Sequence, residues 1–231
     1  MKERIYTIPI TDALNDNCGC ILCTIEKKLE DDAITYFLGP SLMEPDSRED
    51  TNKNGFCRRH IHMLSCGKNT LGLALMLQTH IEELSKKFAL KEKKGLFSKK
   101  SDINATSSDI YGAVKSCSVC NKLNSQMQIA AQNLVYLIGN EKDFAEKFFK
   151  DGFLCAEHFS LALSVCEKEL GEKRGGSVAK KLCAFEMQAL NELKDDLHSF
   201  TNSFDYRNSN QKPSQKATDS VPKAVKYIGK Y

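Results

Sequence analysis

Six cysteines and two histidines stand at spacings that are typical of a tetrahedral metal site. They form two C-x-x-C pairs and two C-x-x-H pairs, at Cys20, Cys23, Cys57, His60, Cys117, Cys120, Cys155 and His158. Zinc is usually held by four cysteine thiolates or histidine nitrogens. A tight turn points both sulfurs of a C-x-x-C pair at one ion, and residues three apart on a helix share one face. One pair of each kind therefore supplies a complete Cys₃His ligand set.

The two ligand sets repeat along the chain. The second set follows the first at offsets of 97 or 98 residues. The gap between the pairs is 33 residues from Cys23 to Cys57 and 34 residues from Cys120 to Cys155. Gly-Phe precedes both C-x-x-H pairs, with Leu154 interposed in the second. This self-similarity predicts an internal repeat in which each copy binds one zinc ion with its own four ligands.

Four protein ligands leave no open coordination position, whereas catalytic zinc sites keep one for water. The ligand sets therefore predict two structural zinc ions. Iron–sulfur ligation is an alternative, because thiolates also bind such clusters. A thioredoxin-like role of the C-x-x-C pairs is disfavoured, since no strand pattern precedes Cys20 or Cys117.

The other cysteines and histidines lack a partner at ligand spacing. Three cysteines within helical patterns are predicted to be small core residues: Cys66, Cys166 and Cys183. Three histidines are predicted to be ordinary helix residues: His62, His80 and His198. Cys18 stands two residues before Cys20, where it either competes for the ion or remains a spare thiol.

The composition is that of a globular protein and excludes several other classes. The 231 residues are 41% hydrophobic and 27% charged, and five prolines and thirteen glycines exclude a collagen-like or Pro/Gly-rich disordered chain. No run approaches eighteen apolar residues, so no membrane-spanning helix is expected. The start, MKERIYTIPITD, lacks the apolar core of a signal peptide. We therefore expect a cytoplasmic protein, in whose reducing environment the cysteines bind metal instead of forming disulfides.

Apolar residues recur at helical spacing through most of the chain, which predicts an all-α fold of two tandem zinc-stapled units. The predicted helices cover about 24–38, 60–66, 71–90, 121–138, 155–170 and 177–204. Gly39-Pro40, Gly139-Asn140, Gly171 and Gly175-Gly176 are predicted to interrupt them. A short extended arm is expected at 5–8, and a polar, acidic loop with at most one helical turn at 40–54.

Composition predicts four successive ranges: a first zinc-binding repeat (1–90), a basic polar linker (91–115), a second repeat (116–204) and a basic C-terminal tail (205–231). The lysines concentrate at the junction, where residues 86–101 carry seven of them and one acid. The tail carries six basic residues and two acids. Such a polar linker is expected to be mobile.

A basic linker also raises the possibility of nucleic-acid binding. Phe97 is the only aromatic residue in 91–110, so the stacking platform of a single-strand binder is missing. The ligand spacing also differs from that of nucleic-acid zinc fingers. A protein partner is therefore the first expectation and nucleic acid the second.

Two stretches resemble the signature of an uncharacterised family known from Firmicutes, a domain of unknown function with paired C-x-x-C and G-F-C-x-x-H motifs. They are residues 39–60 (GPSLMEPDSREDTNKNGFCRRH) and 71–80 (LGLALMLQTH). Phe204–Asn208 and Val221–Lys223 are similar to the family's C-terminus. The first metal-binding pair reads C-I-L-C where the family usually has C-P-x-C, which leaves the roles of Cys18 and Cys20 open. The resemblance implies a shared architecture and supplies no activity.

These observations favour an interaction or adaptor module with structural zinc, and no residue is assigned a catalytic role. One alternative is an enzyme with a polar pocket near the acidic segment 40–54. Its candidate residues are Glu44, Asp46, Arg48, Glu49 and Asp50, together with Gln78 and His80. Another alternative is a zinc–thiolate redox switch.

Overall fold

The computed structural model describes residues 7–16, 19–91, 101–205 and 213–229, and these residues are all-α, without a β-strand. The predicted fold class is confirmed. The described residues form eleven α-helices: α1 (Ile8–Asp16), α2 (Ile21–Phe37), α3 (Pro45–Asn54), α4 (Arg58–Ser65), α5 (Thr70–Ser85), α6 (Ile103–Lys115), α7 (Ser118–Asn140), α8 (Lys142–Asp151), α9 (Ala156–Leu170), α10 (Glu172–Asn202) and α11 (Gln215–Ile228). Short 3-10 turns follow α2 and α5, at Pro40–Met43 and Lys86–Phe88. Within the described ranges, none of the helices combines the length and the apolar character needed to cross a bilayer.

The chain divides into two compact units. The continuous unit is Lys28–Gln126, and the discontinuous unit combines Met1–Lys27 with Met127–Tyr231. The boundaries fall inside α2 and α7, so each of these helices begins in one unit and ends in the other. These ranges differ from the four that composition predicts, because the contacts between helices do not follow the order of the sequence.

Two segments predicted to be loop or linker are helical. The acidic segment forms α3, which begins with Pro45 in its first turn, a position that Pro favours, and ends at Gly55. Residues 103–115, predicted as part of a mobile linker, form α6, whose first turn is capped by the Asp102 side chain accepting from the Ala105 N–H at 3.1 Å. Both helices were missed because their sequences are polar, although the residues at their first turns are typical of helix starts.

The two ends of the chain also differ from expectation. Helix α1 begins at Ile8, inside the predicted extended arm, whose residues Ile5 and Tyr6 lie outside the described residues. The basic tail contains α11, which the Ser214 hydroxyl caps by accepting from the Ala217 N–H. Ala217 and Ser220, three apart, are buried, so this helix packs through small residues that a search for large apolar side chains overlooks.

The core of the continuous unit lies between α2, α4, α5 and the first turns of α7. Its buried members are Ala33, Phe37, Leu64, Leu73, Met76, Cys117 and Val119. Phe37 and Phe56 meet edge to face, with their ring centroids 5.8 Å apart. The core thus surrounds one of the cysteines of metal-ligand spacing.

In the discontinuous unit, α10 packs against α9 and α11, and α1 packs against α8. Phe148, Phe149 and Phe185 form a cluster with ring centroids 5.5 to 5.8 Å apart. Phe148 has no exposed surface. Aromatic contacts therefore join α8 to the middle of α10.

Gly175 and Gly176 lie inside α10 and do not interrupt it, contrary to prediction. The helix begins at Glu172, after Gly171 with its positive φ of 75°. A Cβ on Gly175 would lie 2.5 Å from the Cys166 carbonyl oxygen, whereas a Cβ on Gly176 meets nothing within 4 Å. Gly175 therefore allows α9 and α10 to approach closely, and Gly176 has no such role.

We expect Gly175→Ala and Gly176→Ala to have opposite effects on the free energy of unfolding. The first forces the backbones of α9 and α10 apart and costs about 1–3 kcal/mol. The second removes a flexible residue from a helix interior and stabilises by about 0.5–1 kcal/mol. Urea unfolding followed by circular dichroism measures both variants. Equal effects of the two substitutions would contradict the close packing at Gly175.

Candidate metal centres

The eight predicted ligands come together in two clusters, each inside one unit. The first centre, in the discontinuous unit, consists of Cys20, Cys23, Cys155 and His158. The second centre, in the continuous unit, consists of Cys57, His60, Cys117 and Cys120. Within each centre, the four donor atoms lie within 4.8 Å of one another.

The distances between donor atoms fit one tetrahedrally coordinated ion. With metal–sulfur and metal–nitrogen bonds of zinc length, a tetrahedron separates two sulfurs by about 3.8 Å and a sulfur from a nitrogen by about 3.5 Å. In the first centre, Cys23 Sγ lies 3.7 Å from Cys155 Sγ and 3.3 Å from His158 Nδ1. In the second centre, Cys120 Sγ lies 3.9 Å from Cys57 Sγ and 3.3 Å from His60 Nδ1.

Helix starts position all four ligand pairs. Cys20 and Cys117 each stand just before a helix, so that the second cysteine of each pair lies in the first turn of α2 or α7. Cys57 and Cys155 are the N-cap residues of α4 and α9, and the paired histidine lies in the first turn. The partial positive charge of a helix N-terminus favours the thiolate form of these cysteines.

One backbone hydrogen bond recurs in both centres and joins the two ligand pairs. The donor is the backbone N–H of the residue that follows the first cysteine of the C-x-x-C pair. The acceptor is the backbone carbonyl oxygen of the residue that stands two positions before the cysteine of the C-x-x-H pair. The bonds are Ile21 N–H to Phe153 O at 3.2 Å and Ser118 N–H to Gly55 O at 3.0 Å. The two centres therefore share their backbone arrangement as well as their ligand types.

Gly55 is required at its position by two independent constraints. Its φ is 57° and its ψ is −146°, a backbone conformation that residues other than glycine rarely adopt. A Cβ there would also lie 2.3 Å from His80 Nε2. His80 Nδ1 lies 2.9 Å from the Asn52 carbonyl oxygen, so the ring is held between the end of α3 and the loop that leads to Cys57.

A carboxylate contacts the second ring nitrogen of each ligand histidine. His60 Nε2 lies 2.9 Å from Glu30 Oε1, and Arg59 holds the other oxygen of Glu30 at 2.6 Å. His158 Nε2 lies 3.5 Å from Glu26 Oε2. Sequence spacing did not reveal these two acids, although Glu26 stands three residues after Cys23 and therefore on the same face of α2.

Both centres favour positive charge at the ligand histidine. Burial disfavours a charged His60 ring, but hydrogen bonds with Cys117 and Glu30 outweigh it and raise the pKa of His60 to about 9. Burial likewise opposes a charged His158, yet contacts with Cys155 and Cys20 raise its pKa to about 10. Both shifts indicate that the surrounding thiols favour a positive charge at this place, which a divalent cation would supply.

The pKa values of the cysteine thiols are also shifted by their neighbours in each centre. Burial raises the pKa of Cys117, but its hydrogen bond with His60 outweighs this and lowers the pKa to about 6. Burial and the neighbouring Cys117 thiolate raise the pKa of Cys120 to about 12. In the first centre, the thiols of Cys20 and Cys23 lower the pKa of Cys155, and hydrogen bonding to Cys155 raises that of Cys23. A bound cation would allow all three thiols to ionise.

The prediction that each copy binds metal with its own four ligands is wrong. Each cluster takes its C-x-x-C pair from one copy and its C-x-x-H pair from the other.

The remaining cysteines correct one expectation. Cys166 is buried, as predicted, but Cys66 and Cys183 are exposed and are not core residues. Both lie where helix surfaces face solvent, which a count of apolar residues at helical spacing did not resolve. Cys18 lies outside the described residues.

The predicted polar site at the acidic segment is only partly assembled. Glu49 and His80 line the same small cavity, together with Asn52, Lys53, Glu83, Leu84, Lys87 and Ala113. Glu44 instead accepts a hydrogen bond from the Tyr36 hydroxyl, and the Arg48 guanidinium donates to the Leu75 carbonyl and the Thr79 hydroxyl. Arg48 thus joins α3 to α5, and Gln78 donates to Glu82 on the helix surface.

Helical folding with two Cys₃His clusters defines the class of protein. The model of a family described as "Family of unknown function (DUF6062)" matches residues 1–231, and the chain belongs to that family. Searches of the curated proteins and of the solved structures found no match.

Two double variants distinguish the observed ligand pairing from pairing within each copy. Cys20→Ser with Cys155→Ser removes two ligands of the first centre, so we expect it to lose one metal equivalent. Cys20→Ser with Cys57→Ser removes one ligand from each centre and should weaken both. Native mass spectrometry after a mild chelator wash counts the metals. Pairing within each copy would give the reverse result, because Cys20 and Cys57 would then share one ion.

Proposed function

We propose that each centre binds one zinc ion and that the two ions stabilise a helical interaction module. The observation that carries the proposal is the closure of each site by four protein donors at tetrahedral separations. Such a site has no position for a substrate or a reactive water. The ions would therefore join chain segments and would not take part in a reaction.

The donor geometry supports zinc over an iron–sulfur cluster. In a cluster, the protein ligands bind different iron atoms and are spread around the cluster surface. Here one sulfur–sulfur pair and the sulfur–nitrogen pairs of each centre are 3.3 to 3.9 Å apart, and all four donors lie within 4.8 Å of one another, which suits ligands that share a single ion. Tetrahedral coordination by thiolates with one imidazole is typical of zinc.

Exposed apolar side chains support a protein partner. Helix α10 exposes Met187, the turn after its last residue exposes Phe204, and α11 exposes Val225 and Ile228. Phe204 is 72% exposed and Ile228 is 80% exposed. Exposed apolar surface of this kind is typical of protein interaction sites.

A reducing compartment such as the cytoplasm suits this proposal. The described cysteines include nine free thiols and no disulfide. Six of them are donors of the two centres and must stay reduced to bind metal. The duplicated order of ligand pairs, with the same backbone bond in both centres, supports an origin from an internal repeat.

The contacts of α3 favour a structural role for the acidic segment over the alternative of an enzyme pocket. Arg48 and Glu44, two of the candidate residues, are engaged by α5 and by Tyr36. A catalytic acid or base needs access to a substrate proton. We therefore assign no catalytic group to this segment.

Metal analysis tests the zinc proposal directly. Protein purified under reducing conditions without added metal should contain two zinc equivalents and no iron or inorganic sulfide. A strong chelator should then abolish cooperative unfolding of both units, because metal binding and folding are coupled. Elemental analysis with native mass spectrometry measures the content, and calorimetry measures unfolding. Absence of metal, or presence of sulfide, would contradict the proposal.

Quantitative crosslinking tests the interaction role by comparing the partners that are captured by the wild-type protein and by two variants. Wild-type protein should enrich a specific partner from its source cells. Phe204→Ser with Ile228→Ser should lose that partner, while Leu71→Ser, at an exposed residue of α5, should retain it. Circular dichroism controls for folding of each variant. Retention of the partner by the double variant would contradict a docking role of α10 and α11.

A further inference from the structure

Helix α2 carries one carboxylate for each centre. Glu26 and Glu30 are four residues apart, so they lie on the same face of the helix, one turn from each other. Glu26 faces His158 of the first centre, and Glu30 faces His60 of the second centre. The same helix also provides Cys23 to the first centre.

Each carboxylate has a defined effect on its histidine. A carboxylate next to Nε2 accepts a hydrogen bond from the Nε2–H group and so keeps that nitrogen protonated. The lone pair of the neutral ring is then on Nδ1, which is the atom that lies 3.3 to 3.4 Å from the sulfurs in both centres. Partners of this kind fix the ring orientation and raise the basicity of the metal-binding nitrogen.

The two contacts are unequal. Glu30 is buried, with 8% of its side chain exposed, and lies 2.9 Å from His60. Its second oxygen is held by Arg59 at 2.6 Å, so the carboxylate has one fixed orientation. Glu26 is 28% exposed and lies 3.5 Å from His158, at the limit of hydrogen-bond distance.

The second copy of the repeat does not replace these acids. At an offset of 97 residues, α7 carries Leu123 and Met127 where α2 carries Glu26 and Glu30. Both apolar side chains are buried. The carboxylates are therefore a specialisation of α2 and not a consequence of the repeated ligand pattern.

We infer that Glu26 and Glu30 are positioning residues for the metal-binding histidines, and that the second centre retains its ion more strongly than the first. The inference rests on the proposed occupancy of both centres by zinc. Loss of a partner at this position typically lowers metal affinity by about 10- to 100-fold. The larger loss should follow the shorter, buried contact of Glu30.

Transfer of zinc from the full-length protein to an excess of a coloured chelator tests the inference. We expect two phases of one equivalent each in the wild-type protein. Cys20→Ser with Cys155→Ser leaves only the second centre intact, and its release rate should match the slow phase. Glu30→Ala should accelerate the slow phase by about 10- to 100-fold, with the fast phase unchanged. Glu26→Ala should accelerate only the fast phase, and by a smaller factor.

Two further variants separate positioning from general destabilisation. Asp32→Ala removes an exposed acid from the same helix and should leave both phases unchanged. Glu30→Gln retains an oxygen that accepts the hydrogen bond from His60 Nε2–H but lacks the charge, so its slow phase should lie between those of wild type and Glu30→Ala. The absorption spectrum of the cobalt-substituted protein shows whether the tetrahedral site still forms in each variant.

The outcomes distinguish this inference from the proposed function. A protein without zinc contradicts the proposed function itself. Two zinc ions that leave at one common rate, or a Glu30→Ala protein with an unchanged slow phase, would overturn the inference while leaving zinc binding intact. An equal acceleration of both phases by Asp32→Ala would overturn it as well, because the effect would then belong to the helix and not to the carboxylate.

Discussion

The fold depends on the joining of distant chain segments at two four-donor sites. Cys23 and Cys155 are separated by 132 residues, and Cys57 and Cys120 by 63. Closing loops of this length costs conformational entropy that grows with the logarithm of loop length. The recurring backbone bond beside each site supports this closure. A cation bound by all four donors would stabilise it further, because metal binding and folding are coupled.

Thiolate charge explains why these sites require a cation and not merely good packing. Three thiols with one imidazole in a buried space can ionise together only if positive charge is present. The hydrogen bonds with Cys117 and Glu30 that raise the pKa of His60 reflect the same need for positive charge. A bound zinc ion would supply that charge, and the neutral ring would keep its remaining proton toward the glutamate. The carboxylates of α2 are therefore integral to the electrostatics of the sites.

The identity of the metal ligands was predictable from residue types and spacing, but the way in which the ligand pairs combine into two centres was not. The C-x-x-C and C-x-x-H spacings identify all eight donors, because ligand geometry is local over three residues. The pairing of the donors does not follow from their spacing, because two copies with equal spacing offer chemically identical partners. Glu30 was missed because its histidine stands 30 residues away in the sequence. Helices α3, α6 and α11 were missed because their polar faces dominate their composition.

The nesting of one unit within the other has a consequence for synthesis on the ribosome. The chain emerges from its N-terminus, so Cys20, Cys23, Cys57 and His60 are all exposed before Cys117 exists. The first complete Cys₃His set available to a metal is therefore the set that the finished protein does not use. An ion bound by that early set would have to be released or exchanged when α7 appears, because the finished centres pair the ligands differently. A zinc ion held too tightly at that moment would act as a kinetic trap. Reversible metal binding would therefore matter for reaching the native ligand pairing, in addition to stabilising the folded protein.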